Sequence, residues 1–290
     1  PSDVAPEAVV HVVICPACGL VQLAGPRPAG PRPPHGHAMS VADGDPWVEL
    51  ISHALGAGPK AVCDVDGSGG MPASAFAAGG PILQGLEVAQ ADLVLLGHAL
   101  NHVDDIDDTL RRCEAVLAPA GLIAIDFHHV LGLVHGQVDV ISHTHRCYLS
   151  LHALERALAR HGLAVRAVRE IAEFGGTIRV LAGRDGDRLA PESIDPGDRD
   201  RVRAAERAAQ LDVSDGFSNV ENMIRQGSGR LRDFLDDART SGSSVVGYGA
   251  SSRGTTFLNI AGVDVEALPL VVDRAVSKQG KYLPRARIPV

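Results

Sequence analysis

Residues 139–148, DVISHTHRCY, set two histidines, His143 and His145, two positions apart beside Ser142, Thr144 and Tyr148. On an extended segment that spacing puts both imidazoles on one face. Imidazole is the side chain best matched to moving protons near neutral pH, so general base chemistry is the first expectation. A second candidate is DVDGSGG, residues 64–70, at the end of an apolar run. A glycine-rich turn there lets backbone approach a nucleotide-like ligand, and the following helix offers its N-terminal amides. The plainer reading is a tight turn leaving a core strand. A third is the CxxC pair Cys15 and Cys18. A structural zinc ion wants four ligands, so the pair is a half-site that His35 and His37, or His11, could complete. His128 and His129 follow GLIAIDF at the end where active-site residues of open α/β sheets collect.

These candidates need elements to hold them. Residues 1–45 contain the CxxC pair and an irregular Pro/Gly/Arg stretch, AGPRPAGPRPPHGH. Over residues 46–183 the pattern alternates. WVELISHALGA predicts a helix, AVCDVDG and ADLVLLGHAL buried strands, DDTLRRCEAVLAPAG an amphipathic helix ending at Pro119 and Gly121, and GLIAIDF a third strand. LHALERALARHG predicts a helix, then LAVRAVREI and TIRVLAG a closing strand pair. Such alternation implies a mainly parallel sheet covered by helices, an α/β fold. Residues 184–240 read as a polar linker and a long helical stretch broken near 214–218, and residues 241–290 as strand, glycine-rich turn, helix and strand.

Between Gly70 and the strand at Asp92 lie only 21 residues, with the single acid Glu87. A nucleotide-binding α/β unit carries an acid for the ribose about 20 residues after its glycines, on a second strand. One helix or one short strand fits in that space, so the ribose half of such a pocket looks curtailed, with Glu87 its candidate acid.

Composition narrows the classes. A net charge of −8 without a basic run gives no footprint for nucleic acid. The apolar runs are too short to span a membrane, and no signal-peptide pattern opens the chain. Five cysteines with one CxxC fit a reducing cytoplasm better than a disulfide framework. Cys63, Cys113 and Cys147 read as structural thiols.

The segments VVGYGASSRGTTFLNIAG and VVDRAVSKQGKYLPRARIPV resemble the C-terminal domain of the bacterial sugar C-methyltransferases. CPACGLVQL is similar to half of that family's zinc module, HALNHVDD to the segment holding an active-site histidine, DVISHTHRCY to its Tyr-His-Glu-His segment, and FGGTIRVLAG to its His-Gly-Gly-Ser-Leu-Arg motif. The resemblance implies a shortened member: a zinc-module remnant, a Rossmann-like methyltransferase domain, and a truncated Rossmann-like C-terminal domain. It implies a C-methyltransferase of natural-product (antibiotic) biosynthesis acting on a nucleotide-linked deoxysugar with S-adenosylmethionine. A base removes a proton beside a ketone, and the enolate takes the methyl group.

Carried onto this chain, the base is His145, with His102, His143 and Tyr148 in the catalytic set. The family's glutamate falls on Thr144 and its tyrosine on Ser142; the histidine before the Gly-Gly pair falls on Phe174. The cofactor set is Asp64, Gly67, Gly69, Gly70, Glu87 and His98, with Asp66 standing where a first glycine belongs. The substrate set is Arg179, Tyr248, Gly249, Ala250, Arg253, Asn259, Lys278 and Tyr282, the turn at 248–254 reading also as an anion site at a helix N-terminus. Cys15 and Cys18 are the zinc ligands the resemblance implies. Two other readings stand beside this one. The scaffold could retain base chemistry without methyl transfer, driving isomerisation, elimination or ring closure, for example on a sulfonium-bearing intermediate. Or it could be a non-catalytic partner subunit.

Overall fold

The structure, a computed structural model, describes residues 11–25, 45–56, 59–65, 76, 82–84, 90–142, 144–172, 175–186 and 197–290. The chain forms two compact units. One comprises His11–Leu131 and Thr144–Gly216; the other includes Gly132–His143 and Phe217–Val290.

The first unit is built on a six-stranded sheet. In chain order its strands are β3 (Val62–Asp64), β4 (Ile82–Gln84), β5 (Ala91–Gly97), β6 (Leu117–His128), β8 (Leu163–Ile171) and β9 (Thr177–Arg184). They lie in the order β4-β3-β5-β6-β9-β8. The first four are parallel; β9 runs antiparallel to β6, and β8 antiparallel to β9. The expected closing strand pair is therefore the hairpin at one edge. Among the described residues, the short insert after the glycine turn contributes a three-residue strand, β4, at the other edge.

Successive strand residues alternate between two apolar layers. Leu93 and Leu95 pack with Trp47 and Ile51 of α1 (Pro46–Ala54). Val94 and Leu96 pack with Leu110 and Cys113 of α2 (Ile106–Val116) and Leu154 and Leu158 of α4 (Leu151–Ala159). Burial on both faces is why β5 reads as an uninterrupted apolar run instead of alternating with polar residues.

The helix starts are capped by short acceptors. Asp45 accepts from the Trp47 amide at 2.8 Å with Pro46 at the first helical position, and Ser150 accepts from Ala153 at 3.0 Å. Helix α2 ends at Val116, earlier than the expected Pro119–Gly121 stop. Proline disfavours helical dihedrals in the residue before it, so the chain leaves the helix ahead of Ala118 and Leu117 pairs with Ala91. Gly121 is fixed by space: a Cβ there would meet the Ala118 and Ala91 carbonyl oxygens at 3.0 Å.

The CxxC pair sits at the turn of a small hairpin, β1 (Val12–Ile14) with β2 (Val21–Leu23), which pairs on with β7 (Cys147–Tyr148). Helix α5 (Gly197–Ala208) also belongs to this unit, its Val202 joining the layer that holds α4.

The second unit contains α3 residues after Leu131 (α3, Leu131–Val134), a 3-10 turn at Val138–Val140, the long α6 (Val220–Thr240), and α7 (Ser252–Ala261) between the parallel strands β10 (Gly247–Tyr248) and β11 (Val271–Val272). Leu235, Ala261, Val263, Leu268, Val271 and Ile288 form its core. The break expected near 214–218 is a 3-10 turn at Ser214–Phe217. Among the described residues no helix is long and apolar enough to cross a membrane.

Candidate active site

Four histidines of the first unit gather at the carboxyl ends of β5 and β6. His98 follows β5, His102 ends the 3-10 turn Leu100–His102, His128 ends β6, and His145 precedes β7. Ring centroids are 4.5 Å apart for His98 and His128, 5.8 Å for His128 and His145, and 4.7 Å for His145 and His102. Tyr148, buried at 2% exposure, stands edge-on to His145 at 6.0 Å.

The main chain fixes this arrangement. His98 is held at φ +56°, a left-handed conformation rare for non-glycine residues, while its amide donates to the Asp126 carbonyl at 2.8 Å. The 3-10 turn is stitched to the DVISHTHRCY segment: Arg146 N donates to Asn101 O at 2.6 Å, Asn101 Nδ2 to Cys147 O at 3.0 Å, and Cys147 Sγ to Leu100 O at 3.2 Å. His102 Nδ1 lies 2.7 Å from Thr144 O. A carbonyl only accepts, so Nδ1 carries a proton, and in the neutral ring Nε2 holds the lone pair. That is the tautomer a base needs.

Two buried ionic networks support the same strand ends. Arg179 on β9 is 1% exposed, and its guanidinium forks onto Asp126 of β6 at 2.9 and 3.1 Å, with Asp45 at 3.8 Å. Its donors thus face a protein carboxylate. Glu206 of α5, 4% exposed, bonds His129 Nε2 at 2.8 Å and accepts the Leu151 and His152 amides at the start of α4. Neither the Glu206 link nor the packing of His98 on His128 was anticipated from the sequence. The available signal was position: His98 and His128 each close an apolar run, where a parallel sheet gathers its functional residues.

Of the cofactor set, Asp64 ends β3, half-buried, with Val65 N bonded to Leu95 O at 3.1 Å. Strand β3 has β4 on one side and β5 on the other, so chain direction across the sheet reverses between β3 and β5. Ligands of open α/β sheets bind beyond the carboxyl ends at such a switch point. Asp64 and His98 terminate the two strands that form it. Gly67, Gly69, Gly70, Glu87 and the catalytic candidate His143 lie outside the described residues.

At the hairpin, amides of Ala17 and Cys18 hold the Cys15 thiol below its ordinary range, whereas burial raises that of Cys18. Among the described residues no group of three or more His, Cys, Asp or Glu is placed to hold a metal ion, and His35 and His37 lie outside them.

The residues expected to bind substrate in the second unit include its glycine turn. Gly249, at φ +97°, donates to Val272 O at 2.7 Å, and Ser251 caps α7 by accepting from Gly254 at 3.0 Å. The Ala250 amide donates to Asp273 at 2.7 Å, as do the Ala275 amide at 2.8 Å and Lys278 Nζ at 3.1 Å. Those three donors, Ala275 first, hold the Asp273 carboxyl below the usual carboxylate range. Arg253 forks onto Asp139 at 2.6 and 2.9 Å. Asn259 Oδ1 is buried and has no hydrogen-bond partner among the described residues, while Tyr248 and Tyr282 are largely exposed.

Residues 22–168 match the family model described as a methyltransferase domain, and residues 172–290 match the C-methyltransferase C-terminal domain. The C-methyltransferase NovU of Streptomyces niveus is 30% identical over 204 residues, 69% of this chain and 47% of that protein. The chain thus spans less than half the length of this curated relative. Among solved structures, the Burkholderia thailandensis 1,6-didemethyltoxoflavin-N1-methyltransferase aligns at 16% identity and TM-score 0.35, covering 49% of this chain and 77% of that one. The O-methyltransferase NcsB1 from neocarzinostatin biosynthesis aligns at 20% identity and TM-score 0.35, covering 48% and 50%.

Proposed function

We propose, from the premise that this chain belongs to the methyltransferase-domain family and continues into a C-methyltransferase C-terminal domain, that it is an S-adenosylmethionine-dependent C-methyltransferase of natural-product biosynthesis. The observation that carries the reading is the pairing of His102 and His145, 4.7 Å apart, with the His102 tautomer set by the Thr144 carbonyl. A carbon beside a ketone is a weak acid. Its proton passes to an imidazole lone pair, of His145 or of His102 Nε2, and the electron pair remains on carbon as an enolate. Tyr148, beside His145, offers a phenol that stabilises the enolate oxygen.

The switch point between Asp64 and His98 fits a nucleoside-bearing cofactor, with Asp64 and His98 holding it. S-adenosylmethionine, when bound, supplies an electrophilic methyl group. For the substrate we infer a nucleotide-linked deoxysugar, with Tyr248, Gly249, Ala250, Arg253, Asn259, Lys278 and Tyr282 of the second unit serving its nucleotide part. Arg179, buried on Asp126, serves this site by fixing β6 and β9 in place.

Calorimetric titration with S-adenosylmethionine and S-adenosylhomocysteine tests the reading, and binding below millimolar concentration is expected. Absence of heat at millimolar ligand would end it. It would leave the second reading, base-driven isomerisation, elimination or ring closure, which needs the His102–His145 pair but no methyl donor.

A further inference from the structure

We propose that His128, with His98 behind it, shares the proton taken up by His145, so that the imidazoles at the strand ends act as one base. The inference rests on His145 being the base of the proposed reaction. It gives work to His128, which no motif assigns. The rings run without interruption from His98 to His128 to His145 to His102, at 4.5, 5.8 and 4.7 Å between centroids. Each comes from a different element, so local sequence does not impose the run; the sheet brings it together.

A proton on one ring is felt by the next. Two adjacent imidazolium ions repel, and groups coupled this closely titrate as a set. Among the described residues, the ionisable groups near the run include Asp126, Asp64 and Tyr148. Asp126, two residues before His128 on the same face of β6, is neutralised by Arg179. Asp64 closes β3, and Tyr148 stands beside His145. His102 already donates through Nδ1 to a carbonyl. The run therefore holds one proton readily and a second reluctantly.

The step balances without any co-reactant. The substrate C–H bond breaks, an N–H bond forms on His145, and the electron pair stays on carbon. The proton is then shared between His145 and His128, one N–H breaking as the other forms; His98, both of whose ring nitrogens are buried, backs His128 and does not exchange the proton with solvent. The left-handed backbone of His98 fits this role, since such conformations persist where the surrounding structure has a use for the side chain they aim. His128 and His98 are positioning residues for the base.

The test is a pH titration of the whole chain by 15N NMR of the imidazoles, in wild type, His128→Gln and His98→Gln. We expect His145 to titrate in two steps that His128 mirrors. In His128→Gln we expect one step, with the midpoint raised by about one pH unit as a like charge is removed. An unchanged His145 curve in that variant would overturn the proposal. Should the variant not fold, wild type alone decides: mirrored two-step curves support the proposal, and independent one-step curves sink it. No cofactor or substrate enters this measurement, so its outcome is separate from the calorimetric test of methyl transfer.

Discussion

His102 Nδ1 and the main-chain oxygen of Thr144 lie 2.7 Å apart, and this one bond decides which nitrogen of His102 can act as a base. In the sugar C-methyltransferase resemblance, position 144 belongs to a glutamate whose carboxylate assists the base. In this chain the bond to His102 comes from the peptide carbonyl, which no side chain at that position supplies or removes. If the proposed methyl transfer is assayed, His102→Asn is expected to lower its turnover by about 100-fold or more. Thr144→Ala is expected to stay within about threefold of wild type, since the carbonyl remains. A collapse of the Thr144→Ala rate would show that the hydroxyl does the work.

The Asp126–Arg179 pair predicts a stability effect of known sign. Arg179→Met leaves a carboxylate buried at the end of β6 with its principal cation gone. Breaking a buried pair from one side costs about 3–5 kcal/mol. Urea denaturation of Arg179→Met and of Asp126→Leu/Arg179→Met should show the double variant recovering part of that loss.

Glu206 should act through the start of α4. Glu206→Gln weakens the acceptor for two helix amides and for His129, at a cost of about 1–3 kcal/mol. Hydrogen exchange at Leu151 and His152 should accelerate selectively. Uniform acceleration across the sheet would instead indicate global destabilisation.

The cysteines should separate by reactivity. Burial pushes the Cys113 and Cys147 thiols up to about 12, whereas the Cys15 thiol is lowered by neighbouring amides. Alkylation of the native protein near pH 8 should label Cys15 first and leave Cys113 and Cys147 unmodified until unfolding. The linkage has a definite sign. Above pH 9 these two thiols ionise in the unfolded chain while the native state retains their protons, so their contribution to stability falls as pH rises from 9 toward about 12. Replacing both by alanine should flatten that part of the stability profile.

What the sequence disclosed follows from the range of the forces involved. Strand β5 and helices α1, α2 and α4 were legible because their apolar period and caps are local. His102, His145 and Tyr148 were singled out by motif order, and the structure brings their rings together. Arg179 sits in an apolar strand, a sign of a buried partner, and Asp126 in GLIAIDF was that partner; nothing in either segment names the other. Glu206 lies in a polar helix whose sequence resembles any solvated face, so its burial became visible only with α5 packed. The meeting of His98 with His128 depends on β5 and β6 being neighbours in register, from Leu93 with Leu122 to Gly97 with Asp126. That register is a property of the sheet.

The backbone of His98 carries a last consequence, for how this domain tolerates change. At φ +56° a side chain bearing a Cβ sits about 1–2 kcal/mol above its relaxed conformations, a cost glycine escapes. His98→Gly is thus a substitution that favours the fold locally while deleting the far end of the imidazole run. A selection for thermal robustness alone would drift toward glycine here, and retention of the histidine under such selection would register a functional demand.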